Sequence, residues 1–190
     1  MEILPRKFYQ RDPKKVAKSL IGKKLVRKID GKILSGLIVE TEAYYGESDP
    51  ASRAFHGMKN YNKQMWGLPG TVFIYNVHKY WMLNVVAHKK GEVGAVLIRA
   101  IHPIEGISLM KRNRGVNSEE NLTNGPGRLS VALKINKDLN GIDVTKKGSK
   151  IVILNTSKKF RIGTSHRIGV KKDLKEELRF FAVNDPFVSR

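Results

Sequence analysis

Two strand-like runs, at residues 24–29 and 33–41, flank the dipeptide Asp30-Gly31. A type I′ turn needs a positive φ angle at both of its central residues, which Asp and Gly adopt at low cost. The pattern therefore predicts a tight antiparallel β-hairpin early in the chain. Its second strand continues through Glu42 to a pair of tyrosines.

Short helices and further strands follow, without an internal repeat or a linker. Asp12 and Pro13 predict the N-cap and the first helical position of a helix over 14–21, which Gly22 ends. Residues 46–70 lack clear periodicity and predict a long irregular segment, a kind of loop that is frequently functional. Further strands are predicted at 71–77, 81–87, 95–101, 150–154 and 178–183, and further helices at 103–114 and 128–134.

This order of elements predicts an α+β fold, because strands are interspersed with single helices and tight hairpins. A chain of 190 residues is long enough for one sizeable core and too short for two. We therefore expect a single domain over residues 1–190. No stretch approaches the roughly 18 apolar residues of a membrane span, and no secretory signal is visible. We expect a soluble, intracellular protein with no membrane partner.

The chain carries 36 Lys and Arg residues against 17 Asp and Glu, a formal net charge of +19. Such an excess attracts nucleic acid or an anionic membrane, although a highly charged solvated surface is an ordinary alternative. Since the chain has no cysteine, disulfides, thiolate nucleophiles and thiolate metal sites are excluded. The histidines show no metal-binding spacing, and dinucleotide and P-loop motifs are absent, so we expect neither a metal site nor a cofactor.

Two acids interrupt the apolar strand that leads out of the hairpin. Residues two apart share a face of an extended strand, so Glu40, Glu42 and Tyr44 are expected to point the same way. Two carboxylates on one face can hold a divalent metal, serve as an acid and a base, or divide into one structural and one catalytic group. The ordinary alternative is a pair of exposed strand-end acids that bind lysines.

Arg99 interrupts a second apolar strand, and a buried arginine is usually paired with a carboxylate or placed on a phosphate. Glu40 or Glu42 is the expected partner. A predicted helix starts at the segment Gly125-Pro126-Gly127-Arg128. This segment is suited either to binding a DNA phosphate or to forming a simple turn. Aromatic residues concentrate in the same part of the chain, where they form either core or a stacking pocket for a nucleobase: Tyr44, Tyr45, Phe55, Tyr61, Trp66, Phe73, Tyr75, Tyr80 and Trp81.

Taken together, these segments resemble the alkyladenine (3-methyladenine) DNA glycosylase family. The resemblance implies one compact domain with a curved antiparallel sheet and surrounding helices. It also implies hydrolysis of the N-glycosidic bond of alkylated or deaminated purines (3-methyladenine, 7-methylguanine, hypoxanthine) in double-stranded DNA, without a cofactor, by a monomer. The matching blocks run in order along the chain: Val39-Glu40-Thr41-Glu42-Ala43-Tyr44, Leu68-Pro69-Gly70-Thr71, Leu83-Asn84-Val85-Val86, Leu97-Ile98-Arg99-Ala100, Asn124-Gly125-Pro126 with Leu129, Arg167-Ile168-Gly169-Val170 and Leu178-Arg179-Phe180.

The resemblance also implies roles for individual residues. Glu42 matches the general base that activates water, Arg99 matches a group that positions the acid, the water or a phosphate, and the backbone carbonyl of Ile168 matches a holder of the water. Tyr44 and Tyr75 match stacking residues of the base pocket, and such an electron-rich pocket should favour cationic alkylated purines.

Three further pocket and DNA-binding predictions follow. Asn84 matches a position that crowds the exocyclic amine of guanine, and so rejects it by a clash. Gly125 and Arg128 are predicted DNA contacts.

Two departures from the family pattern stand out. A histidine of the family's pocket wall is replaced by Arg53, so either His56, three residues on, takes its place or the wall is remodelled. The tyrosine that wedges into the gap left by a flipped nucleotide is also missing, and His78 or Val77 is the candidate wedge, with Lys79 beside it as a further DNA contact.

Two other functions remain open from the residues alone. One is a non-catalytic nucleic-acid-binding or ribosome-binding module that keeps the fold for its basic surface. The other is a metal nuclease that uses Glu40 and Glu42. Loss of activity in EDTA would distinguish the nuclease from a glycosylase.

Overall fold

The hairpin at Asp30-Gly31 opens a sheet that organises the rest of the chain. The computed structural model describes residues 2–189. Asp30 has a φ of 48° and Gly31 a φ of 71°, so both turn residues adopt the positive φ that the sequence predicts. The strands of the described residues are β1 (Lys24–Ile29), β2 (Lys32–Tyr45), β3 (Val72–Val77), β4 (Tyr80–Val86), β5 (Gly94–Glu105), β6 (Ile151–Leu154), β7 (Ile162–Ser165) and β8 (Arg179–Ala182).

These strands form a strongly curled antiparallel half-barrel in the order β3-β4-β5-β2-β1-β6. Strand β2 is the centre of the sheet. One of its edges pairs with β5, while the other pairs first with β1 and then, over 40–42, with β8, which also pairs with β7. The predicted α+β class with one compact domain and a curved antiparallel sheet is confirmed.

Four α-helices surround the sheet in the described residues. They are α1 (Arg6–Tyr9), α2 (Pro13–Leu20), α3 (Ile107–Arg114) and α4 (Pro126–Ala132), and short 3₁₀ turns occupy Lys63–Trp66 and Lys137–Leu139. Helix α2 begins as predicted, because the Asp12 carboxylate accepts a hydrogen bond from the Lys15 N–H at 3.2 Å. None of the helices in residues 2–189 is long and apolar enough to cross a membrane.

The main core lies between the sheet and the helices. The hydroxyl of Thr41 donates to the Ala17 carbonyl at 3.0 Å, so the face of β2 opposite Glu40 and Glu42 is the one that carries α2. Burial of each large aliphatic side chain contributes about 1.5–3 kcal/mol. Fully buried members include Val16, Leu20, Ile38, Ile98, Ile101, Met110 and Leu129.

Two helix predictions need correction, and two elements were not predicted. The helix predicted over 103–114 is wrong at its start, because β5 continues to Glu105 and pairs Pro103 with Gly36. The helix begins only after Gly106, whose φ of 76° breaks the strand. The helix predicted over 128–134 begins at Pro126, since proline suits the first helical position. Helix α1 and strand β7 were not predicted; both are four residues long and carry too little periodicity to detect.

Candidate active site

A cleft of about 1000 Å³ opens on the face of the sheet that carries the two acids. The buried part of its lining is the apolar cluster of Tyr44, Met82 and Leu97. The irregular segment 50–61, the tip of the β3–β4 hairpin, the start of α4 and the loop 168–172 supply the walls. Five separate parts of the chain therefore converge on this one concave site.

Two β-bulges aim the charged residues towards this cleft. In the register between β2 and β5, Ile38 pairs with Ile101, Glu40 with Ala100 and Thr41 with Ile98. Val39 and Arg99 are therefore each one extra residue in the ladder. A bulge bends its strand and redirects the adjacent side chains, and bulges are common beside active sites.

Glu40 lies in a closed network of hydrogen bonds. Its Oε1 accepts from Nε of Arg99 at 2.8 Å, from Nε of Arg179 at 2.7 Å and from the Ser189 hydroxyl at 2.8 Å. Its Oε2 accepts from the Ser189 N–H at 2.8 Å. Burial alone would raise the pKa of Glu40, but Arg99, Arg179 and Ser189 together hold it below its ordinary value. Three donors converge on Oε1 and one binds Oε2, and all four belong to buried residues, so Glu40 is held as a structural charge.

Glu42 is equally buried, with 0% exposure, but has a more open set of partners. Its Oε1 accepts from the Ile168 N–H at 2.8 Å and faces an Arg99 terminal nitrogen at 3.1 Å. Its Oε2 accepts from the Tyr44 hydroxyl at 2.7 Å. All three partners line the cleft. Two hydrogen bonds and one ion pair leave at least one of the roughly four acceptor positions of the carboxylate unused.

Arg99 connects the two acids through one guanidinium. Only 6% of the residue is exposed, and it lines both the main cleft and a second cavity of about 780 Å³ near the C-terminal segment. Burial lowers the pKa of Arg99, but the carboxylates of Glu42 and Glu40 outweigh burial and raise it. The arginine is therefore a fixed positive charge beside Glu42.

A second buried network holds the loop that reaches Glu42. The Arg167 guanidinium donates to both oxygens of Asp49 at 2.7 Å, to Asp173 at 2.9 and 2.6 Å, and to the Ala43 carbonyl at 2.9 Å. Burial lowers the pKa of Arg167, and the hydrogen bonds to Asp49 and Asp173 reverse that effect and raise it. Because Arg167 is adjacent to Ile168, this network fixes the N–H that binds Glu42.

Both predicted stacking tyrosines carry an arginine over the ring. The guanidinium carbon of Arg167 lies 4.5 Å from the ring centroid of Tyr44, and that of Arg53 lies 4.6 Å from the centroid of Tyr75. Burial, followed by the charge of Glu42, raises the pKa of Tyr44 well above its ordinary value. Burial likewise raises the pKa of Tyr75. Both hydroxyls are therefore neutral, and that of Tyr44 donates to Glu42.

The remaining predicted pocket residues lie at different depths. Asn84 is 2% exposed and lies outside the cleft lining; its amide nitrogen donates to the carbonyls of Phe73 and Met82, both at 3.1 Å. Those bonds leave the amide oxygen as its free polar atom. His56 is exposed, lines the cleft and contacts the Phe55 ring edge-on at 4.8 Å.

The predicted DNA contacts surround the mouth of the cleft. His78 and Lys79 are the exposed tip of the β3–β4 hairpin, where His78 has a positive φ of 53°. His78 lines the cleft, whereas the Lys79 ammonium lies over the Tyr80 ring at 5.5 Å. Across the cleft, Gly125 precedes α4 with a φ of 126°, a conformation that side chains strongly disfavour.

Arg128, one turn into α4, donates to the side-chain oxygens of Asn121 and Asn124 at 3.0 and 2.9 Å. These neutral partners leave its charge available at the cleft edge.

The residues described, 2–189, bring together no group of three or more metal-ligating side chains. Glu40 and Glu42 are instead bridged by Arg99. The sequence interpretation did not identify the supporting residues Asp49, Asp173 and Ser189. The usable signal was the scarcity of acids, 17 among 190 residues, which makes every acid near the matching blocks a candidate partner for a buried arginine.

Comparison with known proteins agrees with this geometry. The family model described as Methylpurine-DNA glycosylase (MPG) matches residues 7–186. A relative from Aeropyrum pernix is 39% identical over 99% of this chain and 93% of its own length. Relatives from Clostridium tetani and Carboxydothermus hydrogenoformans are each 40% identical, over 98% of both chains and 99% of both chains respectively.

All three relatives carry the name "Putative 3-methyladenine DNA glycosylase". Each match extends over nearly the whole length of both proteins. The chain therefore belongs to the methylpurine-DNA glycosylase family, a family of hydrolases that act in the repair of damaged DNA.

Proposed function

We propose that this protein removes damaged purines of the 3-methyladenine, 7-methylguanine and hypoxanthine type from double-stranded DNA and leaves an abasic site. The observation that carries the proposal is Glu42, a buried carboxylate held by three donors that themselves line a cleft with aromatic walls. Family membership supports the reaction class, and the names of the relatives support the substrate class.

In the proposed reaction, Glu42 takes a proton from a water molecule, and the water oxygen bonds to C1′ of the sugar. The bond between C1′ and the base nitrogen breaks, and its electron pair leaves with the base. A cationic base then departs neutral, whereas a neutral base takes up a proton. The unused acceptor position of Glu42 suits the first step, and a positioned base contributes about 10² to 10⁴ in rate. The carbonyl of Ile168 would hold the same water.

Arg99 would stabilise this arrangement as a positioning group. Its guanidinium pairs with Glu42 and fixes its position, and Glu40 holds the guanidinium in turn. Glu42 is closed to bulk solvent and its three partners line the cleft, so the attacking water would come from the cleft, where a bound nucleotide would confine it.

The target nucleotide must leave the duplex stack to reach this site, which costs about a few kcal/mol and less for a damaged pair. His78, with Val77 beside it, would fill the gap that the nucleotide leaves. Tyr44 and Tyr75 would stack on the base, the Asn84 oxygen would limit the room for an exocyclic amine, and His56 would close the outer wall.

The net charge of +19 would hold the duplex, with Lys79, Gly125 and Arg128 at its backbone. All proposed groups lie in or around one cleft of one chain, so a monomer would be sufficient. The site of action would be wherever the cell keeps its DNA.

Glu42→Gln tests the proposal. Gln keeps the size of the side chain and can still accept from Ile168, but it cannot take a proton. We expect base release to fall about 10²- to 10⁴-fold while binding to a duplex with an abasic analogue is retained. The assay measures free base over a panel of damaged purines in EDTA. Glu47→Gln removes an exposed acid just beyond the same strand and should keep the wild-type rate.

Full activity of Glu42→Gln would exclude Glu42 as the base. If neither protein released any base, the non-catalytic binding module would be the better description. Lys171 and Lys172 also line the cleft, so the assay includes borohydride. A trapped covalent complex with nicked DNA would replace the water mechanism by attack from a lysine.

A further inference from the structure

The two arginines on the aromatic walls differ in what neutralises their charge. Arg167, over Tyr44, has a fully buried side chain that is paired with Asp49 and Asp173. Arg53, over Tyr75, is exposed, and no carboxylate among residues 2–189 forms an ion pair with it. Arg53 therefore brings an uncompensated positive charge into the pocket.

The backbone around Arg53 is fixed, which makes the position of this charge a property of the fold. The buried Asn62 side chain donates to the Arg53 carbonyl at 2.7 Å and to the Gly57 carbonyl at 3.0 Å. The preceding residue, Ser52, accepts from the Ala54 N–H at 3.0 Å. Only the side chain of Arg53 can move, and its guanidinium lies on the face of Tyr75.

A guanidinium is planar and stacks on π systems, so it can take the place of an aromatic side chain against a neutral purine. Against a purine that carries its own positive charge, the same guanidinium is repulsive. It also already occupies one face of the Tyr75 ring, where a cationic base would otherwise find an attractive π system.

We propose that Arg53 is a specificity-determining residue, which makes the pocket favour neutral damaged purines, such as hypoxanthine or etheno-adenine, over cationic ones, such as 7-methylguanine. The inference rests on the proposed function and ranks the substrates within it. Two like charges that share one aromatic ring near a protein surface repel strongly enough to change a rate ratio about tenfold.

Arg53→Gln tests this inference, because Gln removes the charge and retains much of the length. Single-turnover release of hypoxanthine and of 7-methylguanine is measured in one duplex sequence, at a pH where 7-methylguanine is cationic, with spontaneous depurination subtracted. We expect the ratio of 7-methylguanine release to hypoxanthine release to rise about tenfold in Arg53→Gln relative to wild type.

Two controls separate charge at the ring from charge elsewhere. Arg53→Lys keeps the positive charge but removes the planar guanidinium. The ratio of 7-methylguanine release to hypoxanthine release should therefore stay near the wild-type value. Lys171→Gln removes a charge from the cleft edge that does not lie on Tyr75, and it should slow release of both bases by the same factor. If Arg53→Gln does not fold, Arg53→Met replaces it, and the same rise in the release ratio is expected.

The outcomes separate the two proposals. Absence of base release by the wild-type protein would overturn the proposed function, whatever Arg53 does. Wild-type release with an unchanged ratio in Arg53→Gln would overturn the charge filter alone. An equal change in both rates would also overturn it, because Arg53 would then bind the DNA backbone.

Discussion

Glu40 and Glu42 lie two residues apart on β2, face the same side, are both fully buried and share Arg99. They differ in the number and location of their donors. Glu40 has four hydrogen-bond donors, which join it to the C-terminal segment, whereas Glu42 has two and an ion pair with Arg99, and all three of these partners line the cleft. Burial and ion pairing alone therefore do not distinguish the two acids; partners that all line the cleft do.

The comparison also explains why two acids are present. With Arg99 and Arg179, the two glutamates form a buried cluster of two negative and two positive charges. If Arg99 were paired with Glu42 alone, its side chain would move whenever the Glu42 side chain moved. Because Glu40 and Ser189 bind the guanidinium as well, Arg99 is held in place independently of Glu42.

Glu40→Gln is expected to have the largest effect on stability. It leaves Arg99 and Arg179 without their buried anion, and loss of one partner of a buried pair costs about 3–5 kcal/mol. Urea unfolding measures this loss. Activity per folded molecule should fall less than in Glu42→Gln, since Glu42 and not Glu40 is the proposed general base.

Wild-type stability in Glu40→Gln would contradict the structural role of Glu40. Full stability with complete loss of activity would go further and reverse the assignment of the two acids.

Ser189→Ala leaves Glu40 with three partner atoms, the same number that Glu42 has. Glu40 then keeps Arg99, Arg179 and the Ser189 N–H, three donors in all. We expect a loss of about 1.5–3 kcal/mol in the free energy of unfolding, as for a hydrogen bond to a charged group. The double variant Ser189→Ala/Glu42→Gln should remain inactive in base release. Restored activity there would mean that donor number alone, rather than position beneath the cleft, makes a general base.

Local pattern predicted much of the fold. The hairpin and α2 follow from turn and capping chemistry within a few residues, and the shared face of Glu40, Glu42 and Tyr44 follows from the period of a strand. The start of α3 was mispredicted because Pro103 reads as a helix boundary, while the long partner strand β2 extends β5 past it. A distant pairing decided the local structure there.

The site was predictable only in part for the same reason. Arg99 could be assigned to one of the two acids, but not to both, since the bulges at Val39 and Arg99 have no sequence signature. The Ser189 contact with Glu40 joins residues 149 apart, and the Arg167 contact with Asp49 joins residues 118 apart. Only tertiary packing brings such groups together.

The smallest expected effect is a change in the free energy of unfolding at acidic pH. Because the folded-state pKa of Glu40 lies below its ordinary value of 4.5, its contribution to stability is fully present above that value. The contribution is lost as the pH falls through the folded-state pKa, at up to about 1.4 kcal/mol per pH unit. Glu40→Gln lacks this contribution, so the difference in unfolding free energy between the variant and the wild type should shrink as the pH falls.

Urea unfolding of both proteins from neutral pH to about pH 3 measures that difference. Asp143 and Asp173 also have lowered pKa values, opposed by burial but set by hydrogen bonds from Thr145 and Arg167 respectively. Both acids are present in both proteins, so their effects cancel in the comparison. If the unfolding free energies of the two proteins change in parallel over the whole pH range, the charge of Glu40 does not contribute to the stability of the protein. The network around Glu40 would then stabilise the fold by packing rather than by electrostatics.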